Sequence, residues 1–306
     1  MKKYCFGVDV GGTTVKIGLF DCEGNILEKW EIPTRTQDNG SHILPDIAKA
    51  LSDKLAEKKI DKEELTGVGI AVPGPVDKDG TVYRAVNLNW DTFSVRDTLA
   101  DLCGLPVRVG NDANVAALGE MWKGGGQGYH SLVLVTLGPG VGGGVIINGE
   151  ILSGSTGAGG EIGHIHIQDN EEDACGCGNH GCLEQYASER ALFEELSDIK
   201  HMPIHADLFE QLYRDEDPDA RRLVDNFIDY MSIGINNLLN TFNPDIIILN
   251  SVLHRCRPSL CEDITDSLHN TMKQYCHLIP STLQDSATLL GGIYMIQHQF
   301  LYPNQI

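Results

Sequence analysis

No run of apolar residues in this chain approaches the ~18 needed to cross a bilayer, so a helical membrane span is excluded. The opening residues, MKKYCFGVDVGG, carry a basic pair, but the apolar stretch before Asp9 is too short for the core of a secretory signal. Positive charge is scarce: 23 Lys and Arg stand against 43 Asp and Glu, a formal net charge of −20. Polyanions such as nucleic acid or an anionic membrane surface are therefore poor partners. A nucleotide is not excluded, because backbone donors and Mg²⁺ hold phosphates locally, whatever the net charge. The P-loop pattern G-x-x-x-x-G-K-[ST] is missing. Low-complexity segments and long linkers are missing too. Nine cysteines occur without the even framework of a disulfide-stapled domain. In a chain of 306 residues this points to a reducing compartment, and the expected location is cytoplasmic.

What is present is an α/β pattern. YCFGVDVGG, TVKIGLFD and ILEKWEIP read as three strands, with CEGN as a turn between the second and third. Ile43, Leu44, Ile47, Leu51 and Leu55 recur at helical spacing. GVGIAVPG and LPVRVGNDA read as further strands ending in glycine-rich or polar loops, the usual position of a ligand site in such sheets. Residues 6–27 are echoed by residues 132–152: Asp9 aligns with Thr136 and Gly11 with Gly138, each pair 127 positions apart. Strand–turn–strand segments resemble one another in general, but the spacing also fits an internal duplication that presents two glycine hairpins. From residue 190 onward the chain reads as mostly helical. Leu223, Phe227, Met231, Ile235, Leu238 and Leu239 form one apolar face, PDIIILN a strand, and LLGGIYMIQHQFL a terminal helix. A chain of this length exceeds the ~250–300 residues over which one core keeps growing, so two domains are expected.

Several residue sets could carry chemistry. In DVGGTTVK, Gly11 and Gly12 let backbone N–H groups approach an anion, and Thr13 and Thr14 add hydroxyls. Asp9 could hold Mg²⁺ through water. The motif alone also fits a plain tight turn; a second hairpin at TLGPGVGGG makes a two-sided grip on a polyphosphate the stronger reading. Asn111 and Asp112 stand between a strand and a helix. Asp112 suits an N-cap, a role worth ~1 kcal/mol, and equally a general base for a phosphoryl acceptor. Cys175, Cys177 and Cys182 form C-x-C-x₄-C on tight glycine turns. Three soft ligands need a fourth for a closed tetrahedral site, with His164, His166 and His180 as candidates and zinc as the fitting ion.

With these motifs the chain resembles the ROK sugar kinases, and among them the bacterial glucokinases. The resemblance rests on DVGGTTVK, VPGPVD, VNLNW, NDANVAALGEMWKGGG, TLGPGVGGG, GAGGEIGH and CGCGNHGCLE, and is strongest up to about residue 188. It implies an actin-like (ribonuclease H-like) ATPase fold of two α/β domains with a cleft between them. Residues 1–112 would form the smaller one, completed by a C-terminal helix over 290–306. Residues 113–289 would form the larger, with the cysteine knuckle and the contacts of a homodimer. By the resemblance, Asp112 deprotonates the sugar's 6-hydroxyl for attack on Mg·ATP. The sugar is held by Asn87, Asn111, Asp112, Glu161, His164 and Glu184. Structural zinc is held by His164, Cys175, Cys177 and Cys182, leaving His166 and His180 without a role. The phosphates lie against Gly11, Gly12, Thr13, Thr136 and Gly138.

The chain departs from the kinase pattern at two places. Pro139 stands where the second hairpin usually has threonine, removing one hydroxyl and one N–H donor. Asn250, Ser251, Val252 and Leu253 replace a glycine run that lets adenine lie against bare backbone, and this part is closer to the sugar-responsive repressors of the family. The expected activity is ATP-dependent phosphorylation of glucose at O6. The alternatives are a kinase for N-acetylmannosamine, N-acetylglucosamine, fructose or allose, or a sugar-binding regulator. Only eight residues precede Asp9, where such repressors carry a DNA-binding module, and VNLNW favours glucose.

Overall fold

The structure, a computed structural model, describes residues 2–269 and 271–298. By internal contacts it divides into two compact units. The first comprises residues 2–128, 151–159 and 283–298, the second residues 129–150, 160–269 and 271–282.

In the first unit, β1 (Tyr4–Val10), β2 (Thr14–Asp21) and β3 (Ile26–Pro33) form an antiparallel meander. Helix α1 (Ile43–Lys58) follows and buries Ile43, Leu44, Ile47, Leu51 and Leu55, the stripe its spacing predicts. Strand β4 (Leu65–Val72) then pairs parallel to β1 and is buried almost throughout, as a central parallel strand covered on both faces should be. A two-residue ladder of β5 (Thr81–Val82) and β6 (Phe93–Ser94) precedes α2 (Val95–Cys103). The Ser94 hydroxyl caps α2 by accepting from the Asp97 N–H, and left-handed Gly104 ends it. Strand β7 (Val107–Asn111) joins β4 in parallel and runs directly into α3 (Asp112–Lys123).

The second unit repeats this plan. Strands β8 (Leu132–Leu137), β9 (Val141–Ile147) and β10 (Glu150–Ile151) lie in the order β10-β9-β8, and β11 (Ile246–Asn250) and β12 (His277–Pro280) continue the sheet in parallel. The first sheet has the order β3-β2-β1-β4-β7, the same arrangement in the same sense, so the echo between residues 6–27 and 132–152 extends to sheet topology. Helices α4 (Leu183–Ala187), α5 (Glu189–Lys200), α6 (Ala206–Arg214), α7 (Pro218–Phe242) and α8 (Leu260–Ser267) complete the unit. The Asp217 carboxylate caps α7 with Pro218 in its first turn, and Leu223, Phe227, Met231, Ile235, Leu238 and Leu239 point into the core as their spacing predicts.

The last helix, α9 (Ala287–Gln297), belongs to the first unit. Residues 299–306 of the expected terminal helix lie outside the described residues. The boundary between the units falls after Gly128 instead of after residue 112, because α3 packs along α9 and both lie on the first sheet. This packing is backbone against backbone. A Cβ added at Gly119 would stand 2.0 Å from the Ala287 carbonyl oxygen, one at Gly291 1.7 Å from that of Val115, and one at Gly69 1.9 Å from that of Gly292. Only glycine allows elements to approach so closely.

Gly119→Ala should therefore destabilise the protein by about 2–3 kcal/mol, since backbone must move to admit the methyl. A urea midpoint equal to that of the wild type would show that α3 and α9 can separate at little cost.

Candidate active site

In the first unit the candidate residues gather at the carboxyl edge of the parallel strands. Asp9 lies near the end of β1, opposite Ala71 of β4, while Val72 of β4 pairs with Asn111 of β7. Capping of α3 falls to Asn111 and not to Asp112: the Asn111 Oδ1 accepts from the Asn114 N–H at 3.2 Å, and its Nδ2 donates to the Gly74 carbonyl at 3.2 Å. Asp112 becomes the first helical residue, its Oδ1 accepting from the Ala113 N–H at 2.8 Å. Burial, and then the neighbouring Asp112 carboxylate, push the Asp9 pKa up to about 6. Two carboxylates within electrostatic reach at one sheet edge suit a magnesium-bearing substrate, whose cation would relieve both.

The first hairpin is braced from behind. The Gly11 N–H donates to the Thr14 carbonyl, and the Gly11 carbonyl accepts from the Thr34 hydroxyl at 2.7 Å. The N–H of Gly11 is thus turned into the hairpin, contrary to its expected role as an anion donor. The exposed Gly12 and Thr13 hold the outward positions. Asn87 borders Gly12: a Cβ there would lie 3.7 Å from the Asn87 carbonyl oxygen. The VNLNW segment is itself fixed by the buried Trp90, which donates to the Gly40 carbonyl at 3.1 Å, and by Asn89, which donates to the Thr36 carbonyl at 3.1 Å.

In the second unit the corresponding hairpin joins β8 to β9. Its Gly138 N–H donates to the Gly140 carbonyl, so this amide too is used within the turn, as at Gly11. Thr136, the last but one residue of β8, is in register with Asn250 of β11. His164, Cys175, Cys177 and Cys182 come together with one ligand atom of each within 4.8 Å of every other. A tetrahedral site with metal–sulfur bonds of ~2.3 Å has edges of about 3.8 Å. The Cys177–Cys182 sulfur distance and the separation of the Cys175 sulfur from His164 Nδ1 are both 3.7 Å. Burial and the adjacent thiols push the Cys182 pKa up to about 12, and three sulfurs with one imidazole nitrogen make a donor set of the kind zinc takes. Of the other histidines, His166 bonds the His180 carbonyl through Nδ1 and lies 3.0 Å from Asp169 through Nε2, which latches the knuckle's ends together.

Two carboxylates border the knuckle. Glu161 Oε2 lies 3.9 Å from His164 Nε2, the ring nitrogen turned away from the cysteines. Glu184 Oε2 accepts from the Val141 N–H at 3.0 Å, at the far side of the second hairpin. Of the expected set, Asp9, Gly12, Thr13, Asn87, Asn111 and Asp112 thus share one surface of the first unit, and Thr136, Gly138, Glu161, His164 and Glu184 belong to the second. Sequence reading missed Glu189, a buried carboxylate at the start of α5. An acid in a first helical turn is too common to single it out.

The sheets, the paired glycine hairpins and the knuckle define the class of protein. The ROK family profile matches residues 5–299, and the chain belongs to that family. It is 37% identical to a glucokinase of Halalkalibacterium halodurans, over 97% of this chain and 96% of that protein. It is also 31% identical to the xylose repressor of Bacillus subtilis, over 97% of this chain and 78% of that protein. The structure of a ROK glucokinase from Streptomyces griseus in complex with glucose and AMPPNP is similar at a TM-score of 0.80 and 29% identity, covering 96% of this chain and 99% of that one. The fold is the actin-like α/β ATPase fold.

The raised pKa of Asp9 has a consequence for stability. The unfolded chain gives up this proton near 3.8 and the folded one near 6, so stability falls as pH rises through that window, and the loss is complete above it. Asp9→Asn should stabilise the metal-free protein by roughly 1–2 kcal/mol at pH 7, after discounting for partial solvent exposure. The gain should vanish below pH 3.8. Denaturant titrations at pH 7 and pH 4 check the sign; a destabilised variant at pH 7 contradicts it.

Proposed function

We propose that the protein is an ATP-dependent sugar kinase that phosphorylates a hexose, glucose foremost, at its 6-hydroxyl. The observation that carries this reading is the position of Asp112 as the first residue of α3, directly after β7 and within electrostatic reach of Asp9 at the carboxyl edge of the first sheet. The similarity to the glucokinases supports it. In this reading the Asp112 carboxylate accepts the proton of the 6-hydroxyl as the sugar oxygen bonds to the γ-phosphorus. The bond from that phosphorus to the β–γ bridging oxygen breaks, and sugar 6-phosphate and ADP leave. Asp9 would hold the Mg²⁺ of the nucleotide, which would neutralise charge on the transferring phosphates. Gly12 and Thr13 on one hairpin, with Thr136 at the base of the other, receive the phosphates, while Gly138, its amide bonded within the turn, only leaves room for their approach. Asn87, Asn111, Glu161, His164 and Glu184 hold the sugar hydroxyls.

The knuckle acts as a brace. His164, Cys175, Cys177 and Cys182 would hold a structural zinc ion, which supplies rigidity and no open coordination position. Nδ1 of His164 faces the cysteines and leaves Nε2 for the sugar side, and Glu184 follows Cys182 by two residues. Among the described residues no helix is long and apolar enough to cross a membrane. The reading places the protein in the cytoplasm as a homodimer.

A coupled ADP-release assay over a panel of hexoses, with and without Mg²⁺, tests the activity. Asp112→Asn should lower turnover by ~10²–10⁴ while keeping the sugar-induced rise in melting temperature. The similarity to the xylose repressor defines the competing outcome: sugar-dependent stabilisation of the wild type without turnover would mark a sugar-binding regulator. Removing zinc with a chelator, or Cys177→Ser, should weaken sugar binding and stability together. Normal glucose binding by metal-free protein would remove the brace.

A further inference from the structure

Within the second unit, the short elbow formed by α4 and α5 touches three segments. Its first half carries Glu184, bonded to the Val141 N–H on one flank of the glycine hairpin. Its second half begins at Ser188, whose hydroxyl caps α5 by accepting from the Ala191 N–H at 3.1 Å. Two residues after Ser188, the Arg190 N–H donates to the Gly138 carbonyl at 3.3 Å, on the other flank of the same hairpin. Between these anchors sits Glu189, only 7% exposed.

The Glu189 Oε1 accepts from the Val252 N–H at 2.8 Å and from the Ser251 hydroxyl at 3.1 Å. Ser251 in turn accepts from the Leu253 N–H at 3.1 Å, so one carboxylate organises the whole turn that leaves β11. That turn is placed for a ligand. β11 runs parallel to β8 with Asn250 beside Thr136, so the exit of β11 and the hairpin stand side by side at the carboxyl edge of the sheet. Ligands of open α/β sheets bind outside this edge. A nucleotide whose phosphates rest on the hairpin has the β11 exit as its next neighbour. Burial pushes the Glu189 pKa up, and the two donors from the exit turn oppose that shift. A residue needed only to fill the core would be apolar at this position.

We propose that Glu189 is a positioning residue for the nucleotide, fixing the Asn250–Leu253 turn as the base-facing wall while the same elbow holds the phosphate hairpin. This rests on the kinase reading above. The hydrogen bonds require an acceptor more than a charge, so glutamine should serve and alanine should not.

The test compares Glu189→Ala, Glu189→Gln and wild type by steady-state kinetics with ATP and GTP, and by calorimetric titration with Mg·AMPPNP. Glu189→Ala should raise KM for ATP and the nucleotide Kd about tenfold, the scale of losing two hydrogen bonds from a buried turn. KM for glucose should stay within twofold, because the Glu184–Val141 bond is untouched, and the preference for ATP over GTP should narrow. Glu189→Gln should restore values within about twofold of the wild type. Should Glu189→Ala fail to fold, Ser251→Ala reads the same contact and should raise KM for ATP roughly threefold. Nucleotide affinity unchanged in the folded variant, or KM for both substrates rising together, overturns the assignment. A wild type that binds Mg·AMPPNP but phosphorylates no hexose defeats the kinase reading alone, and the Kd comparison still decides Glu189. A wild type that binds no nucleotide defeats both.

Discussion

The first unit depends on the close seating of α9 against α3 and the central strands. Glycines at 69, 119, 291 and 292 let main chains meet where side chains would hold them apart. Helix α3 is thereby held from two sides, by β7 leading into its first residue and by α9 along its length. Asp112 rides at the end of that rigid assembly, not on a free loop, and its carboxylate inherits the precision of the packing. The same contact draws residues 287–297 into a unit built mostly from the first 128 residues.

Each functional surface is then a consequence of sheet topology. Parallel pairing of β1, β4 and β7 brings Asp9 and Asn111–Asp112 to one edge, and parallel pairing of β8 and β11 brings Thr136 and Asn250 to another. The hairpins are stiffened by turning one amide inward, at Gly11 and at Gly138, and by outside supports. For the first, the support is Thr34; for the second, it is the elbow of α4 and α5. That elbow also adjoins the knuckle through Cys182, so cysteine cluster, Glu184 carboxylate and hairpin form one continuous chain of contacts inside the second unit.

Much of this was legible in the sequence because its causes are local. The stripes of α1 and α7 are periodic, the glycine hairpins are spelled out in adjacent residues, and three of the four members of the His/Cys cluster fall within eight positions. Other features were hidden because they depend on partners far along the chain. The cap of α3 went to Asn111 because Gly74 offers a carbonyl to its amide, a contact between residues 37 apart. The unit boundary moved past α3 because α9, more than 160 residues later, packs on it. Strand β12 is four residues long with no clear alternation, and only its pairing with β11 makes it a strand.

The α/β class, the duplicated hairpin plan, the apolar faces of the long helices and the residues able to carry chemistry were all written in the order of the amino acids. These follow from short-range rules: periodicity, glycine turns and ligand spacing. Which of those residues stand together, which amides are bonded inside a turn, and that a buried glutamate at residue 189 holds the exit of β11 beside an Arg190 amide bonded to the second hairpin, followed only from the folded chain. A hydrogen bond between residues 63 positions apart leaves no periodic trace in a sequence; it exists only once the sheet has set both ends within reach.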